Sequence, residues 1–396
     1  MGWLLMRYDF DQVIDRRNSD SDKWKAYPED VIPLWVADMD FVSPEPVIRA
    51  LHERVEHGVF GYPAGVGSQP DGLPEFRRLI VDRMAKRYNW VIEPEEIIFL
   101  PGVIVGFNLA SYCTSSPGSA VLIQTPVYPP ILWAAKTTSC ARQEVELTLE
   151  ADGSYSIDWQ AFEDAITMET RVFILCNPHN PVGRVFRADE LERIAEICLR
   201  KRVVICSDEI HSDLVYPGQR HIPIASLHPE IARNTITLIA PSKTYNLAGL
   251  QCSIAIIQNA ELRENYQAAR RGLVPWVNLM GLAAAQAAYR YGDDWLSQLL
   301  EYLRVNRDFL YEFVNHALPG IRMNCPEGTY MAWLDCRGAG LDENPYKFFL
   351  EKARVALQDG ENFGKGGEGF VRLNFGTRRS LLDEALERMK RALSNR

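Results

Sequence analysis

The chain has 396 residues, 47% of them hydrophobic and 24% charged, which excludes a disordered or fibrous protein and suffices for two domains with a core that needs no disulfide or metal. The net charge of −9 argues against nucleic acid or an anionic membrane as the main partner, because both reward a basic face. Eight scattered cysteines, none in a C-x-x-C pair, read as buried thiols of a reducing compartment.

In chain order, Met1–Met6 is apolar but too short for a secretory leader, so a cytoplasmic location is expected. Residues 1–45 are irregular, with Pro28, Pro33 and Pro44 spread through them. Short β-rich runs follow at Ile97–Leu100, Ala120–Gln124, Arg171–Leu175, Val203–Ser207, Thr235–Ile239 and Ser253–Ile257. Continuous apolar strands of this kind suit a sheet covered by helices on both faces. Between two of them Ala188, Leu191, Ala195 and Cys198 recur at helical spacing, the mark of an amphipathic crossover helix. Val277–Tyr289, interrupted by Asn278 and Gln286, predicts a buried helix and is too short for a membrane span. Beyond a long helical stretch come an α+β pattern, a glycine-rich loop at Gly360–Gly369 and a charged helix at Leu381–Leu393. The expectation is an α/β fold: a mostly parallel sheet in a large domain, residues 46–285, and a smaller α+β domain built from residues 1–45 and 286–396.

Ligands of open α/β sheets bind outside the carboxyl ends of the strands. There the sequence places Pro101-Gly-Val-Ile104 opening a helix, Tyr128, Asn177-Pro-His-Asn180, Asp208-Glu-Ile-His211 and Ser242-Lys243. A lysine amine forms a Schiff base with an aldehyde, and an aspartate keeps a pyridine nitrogen protonated. An aromatic ring stacks on the pyridine, and a glycine-led helix start offers N–H groups to a phosphate. Together these answer the needs of pyridoxal 5′-phosphate (PLP).

Asn177-Pro-His-Asn-Pro-Val-Gly183, Asp208-Glu-Ile-His211 and Ser242-Lys-Thr-Tyr-Asn-Leu-Ala-Gly-Leu250 resemble the fold type I PLP enzymes, the aspartate aminotransferase superfamily. Leu34-Trp-Val-Ala-Asp-Met-Asp-Phe41, Phe60-Gly-Tyr62, Ser207–Leu214 and Gly366-Gly-Glu-Gly-Phe-Val-Arg-Leu-Asn374 are more narrowly similar to the MalY/PatB group of C–S lyases, or cystathionine β-lyases. The resemblance implies that Lys243 carries PLP and acts as the catalytic base, and that Asp208 pairs with the ring nitrogen. By the same carry-over Asn180 meets the phenolic oxygen, with His211 beside it, and Tyr128 stacks on the ring. Gly102, Val103 and Ile104 hold the phosphate with Ser242, Arg372 clamps the substrate carboxylate, and Tyr62 reaches the site of a second subunit in a homodimer. It further implies β-elimination of an L-cysteine S-conjugate, with aminotransfer or a regulatory binding role as alternatives.

Two positions depart from the wider superfamily: His211 stands where aspartate aminotransferases have tyrosine, and Gln251 where they have arginine. Taken singly, several of these residues have plainer readings. Asp208 alone reads as a helix N-cap, Asn177 as a turn former, His179 as structural, and the pair Asp38 and Asp40 as capping near a turn. Trp276 and Tyr245 read as core or pocket wall.

Overall fold

The computed structural model describes residues 8–63 and 72–395; the opening Met1–Met6 segment lies outside them. Seven strands form the central sheet: β1 (Ile97–Leu100), β2 (Ala120–Thr125), β3 (Ala141–Glu146), β4 (Thr170–Cys176), β5 (Val204–Asp208), β6 (Thr235–Ile239) and β7 (Ser253–Ile256). Their spatial order is β1-β7-β6-β5-β4-β2-β3. Only β7 runs antiparallel to its neighbours. All six apolar runs are strands. The seventh, β3, escapes a hydrophobicity reading because it is an edge: its sequence is Ala-Arg-Gln-Glu-Val-Glu and only Val145 is buried. Charged edge strands of this kind resist pairing with other chains.

Side chains alternate across the sheet. Val121, Ile123, Val172, Ile174 and Leu238 pack on one face with the helices Val103–Thr114, Pro129–Thr137 and Ala260–Arg270. Leu122, Phe173, Leu175 and Ile205 face the other way, onto Leu191, Ile194, Ala195 and Cys198 of the helix Ala188–Lys201. Gly106 lets the first of these helices lie close against β6. A Cβ there would stand 2.8 Å from a methyl of Leu238.

Three further strands, β8 (Met331–Asp335), β9 (Gln358–Asp359) and β10 (Phe370–Asn374), form an antiparallel sheet in the order β8-β10-β9. The apolar stretch at 277–289 is the helix Leu279–Tyr291, and Asn278, which interrupts it in sequence, is its N-cap, accepting from Gly281 N at 2.8 Å. The helices Asp293–Ala317 and Arg379–Ser394 complete the C-terminal part. Ile32–Pro33 pairs in parallel with Val355–Ala356, so the N-terminal segment is stitched to residues more than 300 positions later. No described helix is long and apolar enough to cross a membrane.

Candidate active site

The segment after Ile32–Pro33, Leu34–Phe41, runs as an irregular, bent strap whose carbonyls are taken up by side chains of distant elements. Arg372 Nη2 donates to Trp35 O at 2.9 Å, and Asn374 Nδ2 to Val36 O and Asp38 O at 2.5 and 2.6 Å. Lys243 Nζ and Tyr330 OH both donate to Ala37 O, at 2.6 and 3.0 Å. Asn246 Nδ2 donates to Met39 O and Phe41 O, and its Oδ1 accepts from Met39 N. Asp38 and Asp40 are not caps. They form an ion cluster with Arg16 (2.7 and 2.6 Å) and with the fully buried Lys23, whose Nζ lies 2.9 Å from Asp40. Capping was the local reading of these two residues; the structure joins them to cations 15 to 24 positions upstream, which no turn motif registers.

Lys243 sits in the short helix Pro241–Thr244 just beyond β6, and Asp208 is the last residue of β5. Burial, reinforced by the charge of Arg372, lowers the Lys243 amine to about 8. Burial raises the Asp208 carboxyl to about 7, helped by the neighbouring Glu209. Among the described residues Asp208 Oδ1 accepts only from Ile210 N, at 3.2 Å, so this carboxylate has acceptor capacity left for a cationic N–H. His211, one turn on, is buried with Nδ1 unpartnered; burial and then the charges of Lys243 and Arg372 push it down to about 3, so it is neutral. Glu209 is spent elsewhere, accepting from Ser207 Oγ at 2.9 Å and His221 Nε2 at 2.8 Å.

Asn180 follows β4, and its Oδ1 accepts from Arg372 Nη1 at 3.0 Å, which leaves its amide nitrogen as a donor. Arg372, in the middle of β10, is 2% exposed and burial lowers it to about 10. Tyr128, three residues past β2, is close enough to Arg372 and Asp208 to feel both charges. Gly102 is the N-cap of the helix Val103–Thr114, which has no side-chain cap and no acidic residue in its first turn. Among the described residues, nothing lies within 4 Å of where a Cβ on Gly102 would stand, so there is space beside the helix's N-cap. Ser242 lies between β6 and Lys243. Tyr62 stands apart from this cluster, 90% exposed. Gln251 is exposed and in the left-handed region. His179 is buried with Nε2 on Pro126 O at 2.8 Å, in keeping with a structural residue, and Tyr245 is core, whereas Trp276 is 46% exposed.

Three contributors were given no role by the sequence: the carbonyl of Ala37, within the Leu34–Phe41 motif, and Tyr330 and Gln358, which carry no motif, Gln358 Oε1 accepting from Arg372 Nη2. A fourth, Phe363, lies under the Arg372 guanidinium at 5.1 Å. It belongs to the glycine-rich stretch, where Val127 N donates to its carbonyl at 2.9 Å and Gly364, at φ +85°, packs on Thr125 and Leu132. The loop at 360–369 is therefore built against the end of β2 rather than standing free.

The donor set fits PLP: a lysine with a depressed pKa, a buried carboxyl poised to ionise beside a cation, and an uncapped helix N-terminus with room beside it. Residues 29–389 match the family described as aminotransferase class I and II. Cystathionine beta-lyase PatB of Bacillus subtilis (strain 168) is 38% identical over 394 residues, covering 98% of this chain and all of its own. Among solved structures, OvoB superposes with a TM-score of 0.92 at 43% identity, and the PLP-containing cystalysin of Treponema denticola with 0.93 at 34%, each covering 98% of this chain and all of the other. Motifs, sheet order and these likenesses agree: the chain belongs to the aminotransferase class I and II family, the fold type I enzymes that depend on PLP, and has C–S lyases among its relatives.

Proposed function

We propose that the protein is a C–S β-lyase that converts an L-cysteine S-conjugate such as cystathionine into a thiol, pyruvate and ammonia. The observation that carries this reading is the meeting of Lys243, Asp208 and Arg372 on one rim, in a chain similar over its whole length to a cystathionine β-lyase. Bound PLP supplies an aldehyde for the substrate amine and a ring that draws electrons from the α-carbon. Asp208 keeps the ring nitrogen protonated. Gly102, Val103, Ile104 and Ser242 would hold the phosphate, Tyr128 would stack on the ring, and Asn180, with His211 beside it, would serve the phenolic oxygen. Arg372 binds the α-carboxylate and so fixes the Cα–H bond relative to Lys243. The Lys243 amine, once free, takes the α-proton at Nζ and returns a proton to the departing sulfur. Its pKa near 8 leaves a usable neutral fraction at physiological pH, which an unperturbed lysine lacks. Tyr62 serves the site of a second copy of the chain.

The test is a panel of cysteine S-conjugates assayed for thiol and pyruvate, with and without an added keto acid. Equimolar thiol and pyruvate without keto acid is the expected result. Turnover that requires the keto acid would replace the lyase reading with an aminotransferase on the same site.

A further inference from the structure

A buried cation is ordinarily paired with a carboxylate, because taking it out of water unpaired costs several kcal/mol. Arg372 breaks this pattern. Among the described residues no Asp or Glu lies within ion-pair distance of it, and the only groups that raise its proton affinity electrostatically are the phenols Tyr128 and Tyr330. Every acceptor it has is neutral: Asn180 Oδ1, Trp35 O and Gln358 Oε1. Its Nε has no partner among the described residues. Gln358 is the directly paired residue on the neighbouring strand, Cα register Gln358↔Arg372, so its side chain is held beside the guanidinium by the sheet itself. A glutamate is one atom different in shape and would close a buried ion pair at that place.

We propose that Gln358 is a specificity-determining residue: its neutral amide orients the Arg372 guanidinium without neutralising it, which reserves the positive charge for the carboxylate of an α-amino acid. The inference rests on the reading of Arg372 as the carboxylate clamp. Gln358 acts through Arg372 and is a positioning residue, not a catalytic one. Asn180 cannot substitute for it, since Asn180 occupies Nη1 while Gln358 and Trp35 share Nη2. The same logic makes the site intolerant of a resident carboxylate within one strand spacing of Arg372.

The experiment uses 3-(methylthio)propionate, the substrate skeleton without its amine, and the corresponding amide as probes, with the full-length PLP-loaded protein and calorimetry as the readout. Wild type should prefer the acid over the amide by about tenfold or more. Gln358→Glu should weaken acid binding by about tenfold while leaving the amide within about threefold, so that the preference collapses. Gln358→Met, which removes the acceptor but adds no charge, should keep the preference for the acid. In turnover, Gln358→Glu should raise KM for the amino acid with kcat much less affected. Equal acid-over-amide preference in wild type and Gln358→Glu overturns the inference, as does equal loss of both probes in Gln358→Glu and Gln358→Met, which marks a merely structural role. Arg372→Leu separates the two levels. If it keeps the preference for the acid, the clamp reading itself is wrong; if it loses that preference while Gln358→Glu does not, only the role of Gln358 falls.

Discussion

Asp208 is buried where its charged form is disfavoured. In the cofactor-free protein its folded pKa is about 7, against 3.8 for the unperturbed group. Between about pH 4 and pH 7 the folded state therefore keeps a proton that the unfolded state has lost, and stability falls as pH rises through that window. Asp208→Asn removes the titration. At pH 8 its cofactor-free form should melt higher than cofactor-free wild type by roughly 2 °C or more, while its affinity for PLP drops. Opposite signs in a thermal scan and a PLP titration check this. Lys243 gives the complementary case. Its amine attacks an aldehyde only after losing its proton, so the rate of reconstitution with PLP should rise through a midpoint near pH 8 instead of near 10.5. A stopped-flow pH profile with its midpoint above about 10 would contradict this account of its burial.

The strap Leu34–Phe41 shows what an element with no regular structure can do when distant side chains satisfy its backbone. Asn246 makes three hydrogen bonds to it from a left-handed backbone, φ 58°. Asn246→Ala should cost about 2–4 kcal/mol, the sum of those bonds and a backbone penalty, and Asn246→Gly less, because glycine keeps the conformation and loses only the bonds. Urea midpoints for both variants, with the rate of proteolytic cutting within residues 34–43, test the order. The elements that were legible in the sequence are those whose signal is local. β1, β2 and β4–β7 each carry an apolar run buried on both faces, and Lys243, Asp208 and Asn180 follow such runs. The edge strand β3 was not legible, since one solvated face removes the apolar run. Nor were Gln358, Tyr330 and the Ala37 carbonyl, because their roles come from cross-strand register and from contacts 206 and 293 residues apart. Asp38 and Asp40 misled because their partners, Arg16 and Lys23, lie 15 to 24 positions upstream, beyond the reach of a turn motif.

At the scale of the whole molecule, the apolar run Val59, Phe60 and Tyr62 is 61%, 60% and 90% exposed. A homodimer that buries it would carry Tyr62 into the partner's site, twice per C2 pair. Mixing Tyr62→Ala with Lys243→Ala subunits tests this. Each homodimer should be nearly inactive, and a heterodimer should recover up to about half the wild-type rate, since one of its two sites then contains neither defect. No recovery after verified subunit exchange would place Tyr62 outside the neighbouring site. The strap also sets a timetable for synthesis. The Lys243 and Tyr330 bonds to Ala37 and the Asn374 bond to Asp38 close loops of 206, 293 and 336 residues. A ribosome thus displays the strap early, and the strap's last bonds form only once Arg372 and Asn374 have emerged. The central sheet is complete by residue 256, so it can fold on the emerging chain while the site it frames waits for Arg372 and Asn374. A nascent chain stopped between those points would have the central sheet but neither Arg372 nor Asn374 to hold the strap. Loss of the residues from Gln358 onward would remove β9 and β10 and with them core side chains such as Val371, Leu373 and Leu386, so the strap and the C-terminal core fail together.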